Sequence, residues 1–254
     1  MINKKAQVFE QGLVIVVFAL CLVAFTSFLL YNQKVKASMS EIYPVVQMFD
    51  EAGKIQFYVN DSEKIAVQNA YSESIKEIGK DCAKSAENVN YAIWKENCML
   101  TNEQIQEKFL FSLNQTMSEL LNQYSGKKPI LNSISAENNK VSFVFSEFNL
   151  TSSVKKMNNI QIDYNLNLNN EFDLNNLNIN LDMETVYDAV LRQWQTCKKS
   201  ADFNSAKNCM TRQIIEGWSL NVRNEGFLCE LNSKTKYYTK NGFEQLVIKL
   251  KLER

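Results

Sequence analysis

The chain has 254 residues, 28 Lys plus Arg balancing 28 Asp plus Glu, and no histidine. Neutrality leaves no basic field for nucleic acid, and the lack of His removes the commonest general base, transition-metal ligand and pH switch. Serine-protease, zinc-hydrolase and histidine-kinase chemistry in their ordinary forms are thereby excluded.

Taken from the N-terminus, no charge occurs between Glu10 and Lys34. At 1.5 Å per residue the run from Leu13 to Tyr31 covers roughly 30 Å, the thickness of bilayer hydrocarbon, so a single transmembrane helix is expected over 11–33. The run exceeds the apolar core of a cleavable signal, roughly 7–15 residues, and ends in Leu-Leu-Tyr-Asn-Gln-Lys, which offers no small-residue exit site. It is therefore expected to be retained. Lys4 and Lys5 favour a cytoplasmic 1–10 segment, and Lys34 and Lys36 nearly balance them. The cysteine pattern below tips the orientation towards N-in, C-out, placing the protein in the cell membrane with its C-terminal domain extracellular.

The run Lys4-Lys5-Ala6-Gln7-Val8-Phe9-Glu10-Gln11-Gly12-Leu13-Val14-Ile15-Val16-Val17 resembles the start of archaeal type IV pilin-like proteins. Those carry a basic pair, a Gly or Ala, often a Gln, a Glu a few residues on, and a long apolar helix. The resemblance covers about the first 30 residues and implies cleavage by a membrane peptidase between Ala6 and Gln7. It also implies that Glu10 meets the new amine of Gln7 on a neighbouring subunit, since a carboxylate at the membrane edge is costly without a partner. The chain departs from the pattern in having Ala rather than Gly before the cut and Glu10 as the fourth rather than the fifth mature residue. The other reading is an ordinary uncleaved signal anchor, with Glu10 reaching interfacial water. Membrane lipid is a partner on both readings. Copies of itself or other pilin-like subunits are partners on the first, and no nucleic acid or cofactor is expected on either.

Residues 34–60 are expected to continue the helix outward as a stalk, with Ile42, Val46 and Phe49 on one face and Pro44 marking a kink or restart. Beyond it lie two related segments. Cys82-Ala-Lys-Ser-Ala-Glu leads to Asn97-Cys98-Met99, and Cys197-Lys-Lys-Ser-Ala-Asp leads to Asn208-Cys209-Met210, which reads as an internal repeat. Ser62 is the expected N-cap of a helix bearing Val67, Tyr71, Ile75 and Ile78, and Tyr187, Val190, Leu191 and Trp194 mark the matching helix of the second unit. After Cys98 the run Thr101-Asn-Glu-Gln104 has capping-box form and opens a helix facing Ile105, Phe109, Leu113, Met117, Leu120 and Tyr124 inward, stopped by Gly126 and Pro129. A shorter helix from Thr211, carrying Ile214, Ile215 and Trp218, is expected after Cys209. Pairing Cys82 with Cys98 and Cys197 with Cys209 would stabilise each loop by about 3 kcal/mol and suits an oxidising exterior. Buried thiols or a metal site are the alternatives, and the long spacings and lack of His disfavour a metal. Cys21 reads as an apolar packer in the span, and Cys229 is left over, facing a core or crosslinking subunits.

Strand alternation appears at Val141, Phe143 and Phe145, from Ile160 to Leu168, at Phe227 to Leu231, and at Leu246, Ile248, Leu250 and Leu252. Leu177, Ile179, Leu181 and Met183 read as a further strand out of phase with the Ile160 run, with Asn169-Asn170 and Asn175-Asn176 as turn or bulge positions. Sequons at Asn60, Asn114 and Asn149 are compatible with an exterior domain.

The expected fold class is therefore α+β, an N-terminal transmembrane helix followed by an exterior domain of helical Cys-loop units and antiparallel β-sheet. Its boundaries are 61–183 for the first unit with its strands and 184–254 for the second. The expected function is that of a pilin-like surface structural or interaction protein, not an enzyme. A receptor-type ectodomain binding a ligand is the alternative, and a hydrolase built on carboxylates such as Asp163, Glu171, Asp173 and Asp182 is a third.

Overall fold

A computed structural model describes residues 4–77, 92–93, 100–154, 160–200, 202–212, 215–223 and 228–252. The fold is mixed helix and sheet. Helix α1 (Lys4–Glu77) is followed by β1 (Ala92–Ile93), α2 (Asn102–Gln123), β2 (Leu131–Glu137), β3 (Lys140–Phe145), β4 (Phe148–Val154), β5 (Ile160–Leu166) and β6 (Asn170–Asp173). A 3-10 turn (Leu174–Leu177) leads to α3 (Met183–Cys197), α4 (Phe203–Thr211), β7 (Trp218–Arg223), β8 (Leu228–Thr239) and β9 (Gly242–Lys251).

The chain divides into two compact units, one of Met1–Ile55 with Asn149–Leu166 and the other of Gln56–Phe148 with Asn167–Arg254. In the first, α1 carries the apolar run, and its later turns bury Met48, Ala52 and Ile55 while Phe49 meets Tyr164 of β5 edge-on at 5.2 Å. Strands β4 and β5 form a two-stranded sheet. Helix α1 passes through Pro44 without interruption, so the expected restart there does not occur. Proline costs a helix one hydrogen bond and a steric adjustment, which the long helical stretches on either side outweigh.

In the second unit the last part of α1 is central. Every residue from Ala66 to Ser72 is buried, so this stretch is covered around its whole circumference. Helix α2 packs on one side, where the Tyr58 hydroxyl donates to the Leu120 carbonyl at 2.6 Å and Asn69 Nδ2 donates to Thr116 Oγ1 at 3.1 Å. The sheet β2-β3-β6 is joined to α1 through Asn170, and the sheet β1-β9-β8-β7 through the Tyr238 N–H, which donates to Gln68 Oε1 at 2.9 Å. In the second sheet β7, β8 and β9 are antiparallel and the short β1 joins β9 in parallel.

Several expectations need correction. Ser62 caps nothing: it lies inside α1 and is buried, because the helix carrying Val67, Tyr71 and Ile75 is the end of α1 rather than a new element. The stretch through Leu177, Ile179, Leu181 and Met183 is no strand. Asp173 accepts from the Asn175 N–H to open the 3-10 turn, Asn178 closes it with φ of 54°, and Met183 already belongs to α3. Short Asx caps thus outcompete an apolar alternation that has no neighbouring strand to pair with. The helix expected after Cys209 instead precedes and includes it. Asp202 accepts from the Ser205 N–H at 2.8 Å and starts α4, which ends at Thr211, while Trp218 begins β7. Ile78, Ile214 and Phe227 lie outside the described residues.

Other expectations hold. Thr101 and Gln104 form the reciprocal capping box of α2, and Ile105, Phe109, Leu113 and Met117 are buried, with Leu121 in place of Leu120 completing the face. Val141, Phe143 and Phe145 of β3 are buried, as are Leu246, Ile248, Leu250 and Leu252. The β2-β3 hairpin turns through Asn138 and Asn139 at φ of 50° and 61°, the left-handed pair of a type I′ turn, which Asn tolerates better than other side chains. Gly242, at φ of 110°, opens β9 where an L side chain would be strained.

Candidate functional site

The apolar segment comes first in the chain. Val17–Lys36 is the one candidate membrane span among the described residues, 20 residues of mean hydropathy 1.4. Its large side chains face outward, from 45% exposed at Leu29 to 66% at Tyr31. The Thr26 hydroxyl donates back to the Leu22 and Val23 carbonyls, so this polar group is satisfied within the helix, as hydrocarbon requires. Ala6, Gln7 and Glu10 all lie within α1. Cys21 is an exposed thiol within the candidate span.

The second feature is a disulfide. Cys197 ends α3 and Cys209 lies in the last turn of α4, and the two are bonded with Cα atoms 5.6 Å apart. The Gln193 amide donates to the Cys209 carbonyl at 2.8 Å, tying the same two helices together. Cys82 and Cys98, the other expected pair, lie outside the described residues. Cys229 is buried in β8, and burial pushes its thiol up to about 12, which makes it a poor nucleophile near neutrality.

The acidic side chains raised as catalytic candidates each have a structural assignment. Asp163 accepts from Thr151 at 2.9 Å and from Gln161, and these hydrogen bonds hold its carboxyl below the usual carboxylate range. Glu171 pairs with Lys140 across β3 and β6, and Asp173 opens the 3-10 turn. Asp182 caps α3 through the Thr185 N–H and hydroxyl and also accepts from Asn102 Nδ2 at 2.9 Å. Hydrogen bonds from Thr185 and Asn102 hold its carboxyl low. Since the Asn102 N–H donates to Glu184 at 3.0 Å, the N-termini of α2 and α3 cap each other. No group of three or more His, Cys, Asp or Glu able to hold a metal occurs among the described residues.

Two features were not anticipated. A cleft of about 480 Å³ opens between the end of α1 and the outer side of α2, with Lys240 of the β8-β9 turn at its edge. The buried Ser74 and the half-buried Ser112 and Thr116 bring hydroxyls to it, and Phe111 lines it while 75% exposed. The signal was present in α2. Phe111 stands two positions from Phe109, about 200° around the helix, on a face otherwise polar.

The other is Glu63, buried in α1. Its Oε2 accepts from Asn170 Nδ2 at 2.7 Å, and its Oε1 has no hydrogen-bond partner among the described residues. Burial raises its carboxyl from 4.5 to about 7, against the smaller opposing effect of Asn170. No family model, curated protein or solved structure matches the chain.

Proposed function

We propose that this chain is a single-pass, membrane-anchored surface protein of pilin-like type, whose disulfide-bearing second unit lies outside the cell in a structural or interaction role. The observation that carries the reading is α1 itself. One helix presents an apolar, outward-facing segment of bilayer length and continues into the core of a folded unit. Lipid is the environment in which such a segment costs nothing, and helices satisfy their own backbone there. The Cys197–Cys209 bond adds support, since oxidising compartments are where such bonds persist. The resemblance at Lys4 to Val17 extends the reading to processing after Ala6 and to pairing of Glu10 with the amine of Gln7 on a sister subunit.

Mass spectrometry of the native N-terminus tests the processing step: a chain beginning at Gln7 is expected, and one beginning at Met1 or Ile2 overturns it. Proteolysis of intact cells tests placement, with fragments of the second unit expected outside. Electron microscopy of surface material tests assembly, and a detergent-extracted monomer without filament or multimer counts against it.

The cleft favours a second reading in the same location, a tethered ectodomain that binds a ligand. Its volume falls within the range of small-molecule sites, roughly 300–1,000 Å³.

A further inference from the structure

We propose that the cleft between α1 and α2 binds an uncharged saccharide, with the Phe111 ring as stacking platform and Gln115, Thr116 and Glu119 as hydrogen-bonding partners. The proposal deepens the ligand-binding reading and rests on it. Phe111 is the anomaly from which the argument starts. The other aromatic and aliphatic anchors of α2, from Ile105 to Leu121, are buried on one face, whereas Phe111 leaves three-quarters of its surface in solvent while lining a cleft. Exposing a ring forgoes the burial energy it would gain inside, so an occupant that covers it recovers part of that free energy.

The polar lining decides which occupant. The lining carries three carboxylates, Glu73, Glu107 and Glu119, and two ammonium groups, Lys108 and Lys240. Mixed signs that nearly cancel give no strong field to concentrate a phosphate or a polycation. What remains is a ring face together with hydroxyl, amide and carboxylate groups. A pyranose matches this set, since the C–H bonds on one face of the sugar meet the electron-rich ring face while its hydroxyls both donate and accept.

The polar groups are also held in place before any ligand arrives. Gln115 Nε2 donates to Glu119 Oε1 at 3.1 Å, Thr116 Oγ1 accepts from Asn69 Nδ2 at 3.1 Å, and the Ser74 hydroxyl donates to the Ala70 carbonyl at 2.7 Å. Asn69, beneath Thr116, is itself 4% exposed and fixes that hydroxyl from the core side. Groups fixed in this way lose little further entropy on binding, which suits an open cleft where each contact is weak.

The test uses the full-length chain in detergent micelles with four neutral trisaccharides: chitotriose, cellotriose, maltotriose and mannotriose. Saturation-transfer NMR and calorimetric titration are expected to show saturable binding of at least one of them. Phe111→Ala should weaken that binding about tenfold, the loss of one aromatic stacking contact. Gln115→Ala should weaken it about threefold to tenfold. Phe57→Ala, which removes an aromatic 70% exposed but outside the cleft, should leave binding unchanged. Because Phe111 and Gln115 are exposed, circular dichroism of both variants should match the parent.

Three outcomes overturn the proposal: no saturable response to any of the four sugars, equal binding by Phe111→Ala and Phe57→Ala, or a sugar-insensitive association of chains that depends on Phe111. Proteolysis of intact cells reads placement separately. A second unit outside the cell without a sugar response overturns the cleft proposal alone, whereas a sugar response from a unit inside the cell overturns the surface reading alone.

Discussion

The two ends of α1 invert the usual rule of apolar inside and polar outside, in opposite senses. Near its start, Phe18, Leu20, Val23, Phe25 and Leu30 are each at least 60% exposed. Near its end, Ser62, Glu63, Gln68, Asn69, Ser72 and Ser74 are buried. On the membrane-anchored reading proposed above, a single helix meets two solvents, and a different term dominates in each. On that reading the first end gains by transfer of side chains into hydrocarbon, at about 25 cal/mol per Å² of apolar surface. The second is held by packing around its whole circumference, and its polar groups carry a desolvation cost that hydrogen bonds offset only where they are made. Asn170 to Glu63, Thr116 to Asn69 and Tyr238 to Gln68 make such bonds, while Glu63 Oε1, Asn69 Oδ1 and Ser72 Oγ lack them among the described residues.

The largest expected effect breaks the first half of this contrast. Replacing Leu22 and Phe25 together by Arg puts two charges into the span, each costing about 3 kcal/mol near a bilayer centre. The chain should move from the carbonate-resistant membrane fraction to the soluble or degraded fraction. A double variant that stays fully membrane-bound would remove the case for a spanning helix.

Glu63 sharpens the second half. Its folded carboxyl is raised from 4.5 to about 7, so the folded state holds a proton that the unfolded chain has released between those values. The sign follows: stability is greatest below about pH 4.5, falls as pH rises towards 7, and levels off above, with a total change of roughly 3 kcal/mol. Glu63→Gln should abolish that slope and be the more stable form at pH 8. Denaturant titrations in detergent at several pH values check it, and parallel curves for both proteins would refute the assignment.

Ser72→Ala tests a smaller claim of the same kind. Removing a buried hydroxyl without a partner is expected to be neutral or stabilising by about 1 kcal/mol, whereas loss of a bonded group would destabilise. The smallest effect belongs to the solvent-facing middle of α1. Lys54 and Asp50, both well exposed, form an i,i+4 pair at 2.5 Å, and Lys54→Ala should change the unfolding free energy by no more than about 0.5 kcal/mol.

Much of the fold was legible where local pattern and tertiary context agree. The Thr101–Gln104 capping box and the four-residue spacing of Ile105, Phe109, Leu113 and Met117 announced α2, and Leu246 to Leu252 announced β9. The strands β1, β2, β4, β6 and β7 were missed. Leu131 to Glu137 and Phe148 to Val154 are rich in Ser and Asn, and they become strands through pairing with neighbours rather than through propensity. Of the candidate site, the apolar segment long enough to span a bilayer and the Cys197–Cys209 bond could be read from the chain. The cleft could not, since its Ser74, Phe111 and Lys240 meet only when α1, α2 and the β8-β9 turn are packed together.

The sequence by itself determined the uncharged apolar run, the absence of histidine chemistry and the caps that start α2, because charge, composition and hydrogen bonds between near neighbours are local properties. Only the tertiary structure decided that Ser62 and Glu63 lie in a core and that Leu177 to Met183, with no strand beside it to pair with among the described residues, forms none. Burial is a property of what surrounds a residue, and those surroundings come from elements as far away as Asn170 and Tyr238.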